Sequence, residues 1–216
     1  MLEKRFSKEE RHHGFFTGLY KRNEMFLIAS AFIFFASMFA GYFLSGVMDH
    51  LLSGTLKSLK EGVNNGQIKL TTLSIFANNI KIAFFIYAGG IIFGVVSLVY
   101  LVFNGLFIGY VASKFVIGDF ILYTLPHGVF EIAGIIIAGA AGFRLASCVI
   151  HIISDLTHMK KYMPVGDQIG QILNINYDEF KESLVLFIIA AVLIFIAAII
   201  EANFTIAWAS YVKGII

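Results

Sequence analysis

Long uncharged stretches alternate along the chain with short polar ones, and this alternation predicts the elements. No charged residue occurs from Met25 to Met48, and about 20 apolar residues in a helix cross a hydrocarbon core roughly 30 Å thick. A first membrane helix is predicted there. Between Asp49 and Asn79 the chain leaves the membrane, with Leu52, Leu56, Leu59 and Val63 at helical spacing and Lys57, Lys60 and Glu61 off that stripe. This pattern predicts an amphipathic surface helix, ended by a turn at Asn64-Asn65-Gly66. Ile82 to Ser113 is again uncharged but too long for one upright crossing. Asn104-Gly105 favours a turn, so the break is placed there, with a second helix over 79–103 and a third over 105–125. Lys114 would then sit near mid-depth and Gly118-Asp119 would interrupt the helix, which makes a broken or re-entrant third helix the alternative. Pro126 suits the first turn of a fourth helix running through Arg144 toward His151, with Arg144 snorkelling to headgroups. Ser154 to Glu182 is polar and is expected to be a loop, and Asn176-x-x-Glu179 resembles a capping pair before a final helix over 178–208. The fold class is all-α: a polytopic transmembrane bundle of about five membrane helices plus the surface helix.

Composition strengthens this picture. Hydrophobic residues make up 58% of the 216 and charged ones 14%, against about 45 to 50% and 25% in soluble domains. The lipid bilayer is the expected surrounding. No linker or low-complexity tract divides the chain, so residues 25–216 form one membrane domain behind an N-terminal arm, 1–24. A net charge of +2 with no basic, aromatic-interleaved stripe excludes a nucleic-acid partner. Cys148 is the single cysteine, which excludes an intrachain disulfide, and no Cys/His metal framework exists, so neither metal nor cofactor is expected. The arm carries Lys4, Arg5, Lys8, Arg11, Lys21 and Arg22 without the apolar core of a signal peptide. With Lys160, Lys161 and Lys181 they make nine basic residues on one side, against five on the other: Lys57, Lys60, Lys69, Lys81 and Lys213. That bias predicts a cell-membrane protein with a cytoplasmic N-terminus.

Candidate chemistry collects at the opposite side. Asn78, Asn79 and Lys81 would open the second helix, His127 and Glu131 the fourth, and Glu201 lies toward the end of the fifth. Ionisable groups in a span face the bundle interior and pair, so a shared polar cluster is expected, with Lys81 neutralising one of the two carboxylates. Its structural use is to fix helix register. Its functional use is proton or ion handling, because an imidazole and paired carboxylates titrate in a range that burial can bring near neutrality. The spacing of one His and two Glu is not diagnostic of a metal. Gly90 with Gly94, and Gly134, Ala138 and Gly142, form small-xxx-small steps suited to close helix packing. Neither H-E-x-x-H nor G-x-S-x-G occurs, so no hydrolase motif is present and a non-enzymatic protein is expected.

Several of these segments resemble the membrane proteins similar to stage II sporulation protein M. The likeness rests on Asn79, the run Leu101-Val102-Phe103-Asn104-Gly105-Leu106-Phe107-Ile108-Gly109, the run Leu125-Pro126-His127-Gly128-Val129-Phe130-Glu131, the Ala138 to Gly142 run and Ile200-Glu201. The resemblance implies a polytopic inner-membrane protein of about five helices. It also implies a sporulation-related label whose namesake resembles a membrane anchor assembling with two peptidoglycan-degrading partners. Two functions follow as expectations. One is a scaffold for an envelope assembly, homo-oligomeric and with envelope protein partners; the other is a small transporter or channel built on the His/Glu site.

Overall fold

The computed structural model describes residues 14–66, 71–159 and 163–215. Most of the arm, and with it Lys4, Arg5, Lys8 and Arg11, lies outside the described residues, as do Lys69, Lys160 and Lys161. The described chain is helical, in the order α1 (Phe15–Phe43), α2 (Ser45–Asn64), α3 (Thr72–Ala88), a 3-10 turn (Gly89–Ile92), α4 (Val95–Ser113), α5 (Ile117–Thr157), α6 (Val165–Asn203) and α7 (Thr205–Ile215). Five of these segments are long and apolar enough to cross a membrane: α1, α3 with its turn, α4, α5 and α6. The fold is an all-α bundle, and α2 is the segment expected on the surface. Gly66, at φ 69°, closes the turn after it.

Boundaries moved, each for an identifiable reason. The break assigned to Asn104-Gly105 lies instead at Gly89–Gly94, where Phe93 (φ 54°) and Gly94 (φ 78°) both adopt the left-handed conformation that turns α3 back into α4. Gly94 is therefore a turn residue, and it also lies against Phe143 and Ala146 of α5. Asn104 sits inside α4, its amide donating to the Tyr100 carbonyl at 2.7 Å. Gly105 is needed there because a Cβ would strike the Phe34 carbonyl of α1. Gly109 meets Met38 in the same way, so α1 and α4 run parallel along a seam of small residues that includes Ser37 and Gly41. In a bilayer, a glycine beside another helix is a contact surface before it is a turn.

The helix bearing His127 begins at Ile117, nine residues before Pro126, with Asp119 in its first turn. Pro126 therefore lies inside α5, where it removes the amide that the Leu122 carbonyl would accept from. A Cβ at Gly128 would meet the Thr124 side chain of its own helix. Lys114 caps the end of α4 rather than sitting at mid-depth, so the broken third helix is not needed. The expected loop over 154–182 is also helical: α5 continues to Thr157 and α6 starts at Val165. Asn176 and Glu179 are interior to α6 and reach across to α5 instead of capping a helix, and α6 ends at Asn203 rather than continuing to residue 208. At its other end, α1 takes in residues 15–24 of the expected arm.

α5 and α6 are the longest elements, at 41 and 39 residues, so each is about 60 Å long. Together they form an antiparallel hairpin against which the other spans pack. Gly134 lies against the Ala190 carbonyl and Ile194, Gly142 against the Ile86 carbonyl and Ser97, and Gly90 against Leu145. Ala138 is fully buried in the core with Phe34, Ala83, Ile86, Leu101, Ala190 and Ile194. Hydroxyls lock the seams: Ser30 donates to the Ile136 carbonyl and Ser97 to that of Ile86, both at 2.6 Å. Such bonds contribute on average about 0.6 kcal/mol in membrane bundles.

Candidate functional site: two polar centres at opposite ends of the bundle

His127 and Glu131 stand one turn apart on α5 and so share a face. Glu201 reaches them from the last turn of α6. At Phe204 the chain bends into α7, which brings Thr205 against His127. One ligand-capable atom from each of His127, Glu131 and Glu201 lies within 4.8 Å of the others, and all three side chains are half-buried. His127 Nε2 is 4.0 Å from Glu201 Oε2, and Nδ1 is 3.1 Å from Thr205 Oγ1. The Thr205 hydroxyl donates to the Ile200 carbonyl at 3.3 Å. The same oxygen lies within hydrogen-bond reach of Nδ1, and in the tautomer that donates Nδ1–H to it the Nε2 lone pair faces the carboxylates. With the proton on Nε2 the ring instead donates toward Glu201.

The other residues expected in this cluster stand apart from it. Lys81 is exposed and, among the described residues, pairs with neither carboxylate. The Asn78 amide, also exposed, donates to Asn79 at 3.4 Å. Instead, α3 joins this end of the bundle through Thr72, which accepts from Asn203 at 3.2 Å. Two solvent-side clasps lie nearby. Lys114 binds Asp49 of α2 at 2.7 Å, and Lys213 of α7 binds Asp119 of α5 at 2.7 Å. Lys114, with Tyr110 also donating, holds the Asp49 carboxyl below its ordinary range, and Asp49 raises Lys114 in return. Asp119 likewise raises Lys213.

The far end holds a second centre that the sequence reading missed. Glu182 of α6 receives Arg22 of α1 on Oε1, and Arg144 of α5 on Oε2 at 2.9 Å. Asn23 of α1 also donates to Oε2, at 3.2 Å. Arg144 is 8% exposed and stacks its guanidinium 5.8 Å from the Phe26 ring, so it is a buried partner rather than a snorkelling one. Beyond it, His151 Nδ1 meets Glu179 at 2.9 Å, Asn176 donates to Asp155 at 3.0 Å, and the Cys148 thiol donates to the Asn176 carbonyl at 3.6 Å. The signal that finds this centre is charge sign: residue pattern alone puts Glu182 in a loop and Arg144 at the headgroups, but opposite charges near a membrane boundary favour pairing.

The comparisons with known proteins fit this architecture. The family model described as stage II sporulation protein M matches residues 30–206. A protein of Methanocaldococcus jannaschii, described only as uncharacterized, is 33% identical over 143 residues, covering 64% of this chain and 72% of that protein. A second uncharacterized protein of the same organism is 27% identical over 150 residues, covering 69% of this chain and 62% of the relative. No solved structure matches.

Proposed function

The chain belongs to the stage II sporulation protein M family, and from that premise we propose that it is a non-enzymatic membrane scaffold that assembles with copies of itself along α6. The observation carrying this reading is the reach of the α5–α6 hairpin. Arg22, Arg144 and Glu182 share one level, and Val165 to Glu182 extends from it by about 25 Å. Val165, Ile169, Leu173 and Tyr177 form an exposed stripe there at four-residue spacing, and Phe180, Leu184, Ile188, Val192, Phe195 and Ile199 continue it down α6. Lipid covers the lower part of such a stripe but not the projecting part. A partner that crosses the bilayer and projects equally far would cover the whole of it, and a second α6 has that length and pattern by symmetry. The excess of Lys and Arg in the sequence segments that flank this end supports a cytoplasmic side for it.

The test is the mass of the full-length protein in detergent micelles by light scattering. Wild type is expected to be a dimer or larger, and Ile169→Lys with Leu173→Lys to be a monomer with unchanged helicity. A monomeric wild type at every concentration overturns the reading.

A second reading, transport, has its own support: two carboxylates inside the spanning helices α5 and α6 with an imidazole beside them and no Lys or Arg bound to them among the described residues. In reconstituted vesicles it requires a pH-dependent flux that Glu131→Gln abolishes. Absence of flux in wild type removes it.

A further inference from the structure

The centre at His127, Glu131 and Glu201 has the composition of a cation site, and we infer that it binds one divalent transition-metal ion, with Zn2+ the best match. Three observations converge. First, the donor set is one imidazole nitrogen and two carboxylates, which suits zinc and its first-row neighbours. Second, the imidazole is already oriented as in a metal ligand. Thr205 Oγ1 stands 3.1 Å from Nδ1, on the side of the ring away from the carboxylates, and a ring that donates Nδ1–H there presents its Nε2 lone pair to the site. Third, no Lys or Arg reaches the centre: no donor side chain bonds Glu131 among the described residues, and Lys81 pairs with neither carboxylate. Two carboxyls inside membrane-spanning helices need either protons or a positive partner, and a dication supplies the second.

The distances allow this. Metal bonds of about 2.0 to 2.2 Å place ligand atoms no more than about 4.4 Å apart, and the three groups are already within 4.8 Å on flexible side chains. Water would fill the remaining position, entering beside Glu201, whose side chain is 30% exposed. Bound there, the ion would fasten the N-terminal part of α5 to the junction of α6 and α7. It would act independently of any assembly along the projecting hairpin.

The test is equilibrium dialysis of the full-length, chelator-stripped protein against Zn2+ at pH 7.5, with the bound metal counted by mass spectrometry. Wild type is expected to hold one Zn2+ per chain, to prefer it to Mg2+, and to melt at a higher temperature when loaded. His127→Ala with Glu131→Gln is expected to lose the site. Thr205→Val, which removes only the group holding the ring, is expected to bind about 10-fold more weakly. Circular dichroism separates loss of metal from loss of fold. A wild type that takes up no Zn2+, as protons in place of the ion would produce, overturns the inference. So does a folded double variant that retains the full stoichiometry.

Discussion

The two polar centres use the same residue classes in opposite ways. At the Glu182 end, one carboxylate receives two guanidinium groups and an asparagine amide, so acceptors are matched by donors from three helices. At the His127 end, two carboxylates and an imidazole converge with no Lys or Arg bound to them among the described residues. The first arrangement satisfies its carboxylate and holds α1, α5 and α6 in register. The second is incomplete, and incompleteness at a shared point between helices is what a receptive site requires. Burial does not distinguish the two, because both contain half-buried or buried ionisable groups. What distinguishes them is the balance of donors and acceptors.

The sharpest way to break this comparison is to remove the central acceptor at the saturated end. Glu182→Ala leaves Arg22 and Arg144 without their shared counter-ion and is expected to cost about 3 to 5 kcal/mol, measured by denaturant unfolding in micelles. A loss below about 1 kcal/mol would show that this centre does not hold the bundle. Next in size is the seam between the ends. Gly105→Val drives side-chain atoms into the Phe34 carbonyl and Ser37 and is expected to cost about 1 to 3 kcal/mol. If it cost as much as Glu182→Ala, packing rather than charge would be the main tie between α1 and the rest.

Glu131→Gln sharpens the contrast from the other side. In metal-stripped protein it is expected to change stability by less than about 1 kcal/mol, in either direction, because it removes a charge that had no bound counter-ion. A loss matching that of Glu182→Ala would mean that an unseen donor already satisfies the site. The smallest effect concerns the solvent-side clasp. Asp49 is held below its ordinary pKa by Lys114 first and Tyr110 second, so the clasp persists at neutral pH and loosens as pH falls through that lowered value, below about pH 4. Protection of the α2 amides from hydrogen exchange, taken relative to their intrinsic rates, should fall there while that of α5 does not. The same loss of protection already at pH 6 would contradict the assignment.

Some of this was legible from residue pattern and some was not. The number of spans followed from apolar length alone. So did the amphipathic α2, since Leu52 and Leu56 against Lys57 and Lys60 impose one wet face whatever the helix packs on. His127 and Glu131 were legible as a pair because four residues on a helix share a face, and Glu201 because a carboxylate in an apolar run needs a reason. The turn was not. Asn104-Gly105 and the Gly89, Gly90, Gly94 group carry the same local signal, and only the approach of α1 assigns Gly105 to a seam and leaves Gly94 free to reverse the chain. Pro126 misled for a related reason: a helix packed on neighbours tolerates the missing bond that an isolated one would not.

By itself, then, the sequence determined the membrane environment, the helical class and which side chains had to be accounted for, because transfer free energy and helix geometry act residue by residue. The tertiary structure alone decided where each helix ends, that Glu182 rather than Glu131 takes the arginines, and that Lys81 leaves its expected partners. Those outcomes depend on which backbones come within contact distance across the bundle, and no local spacing encodes that.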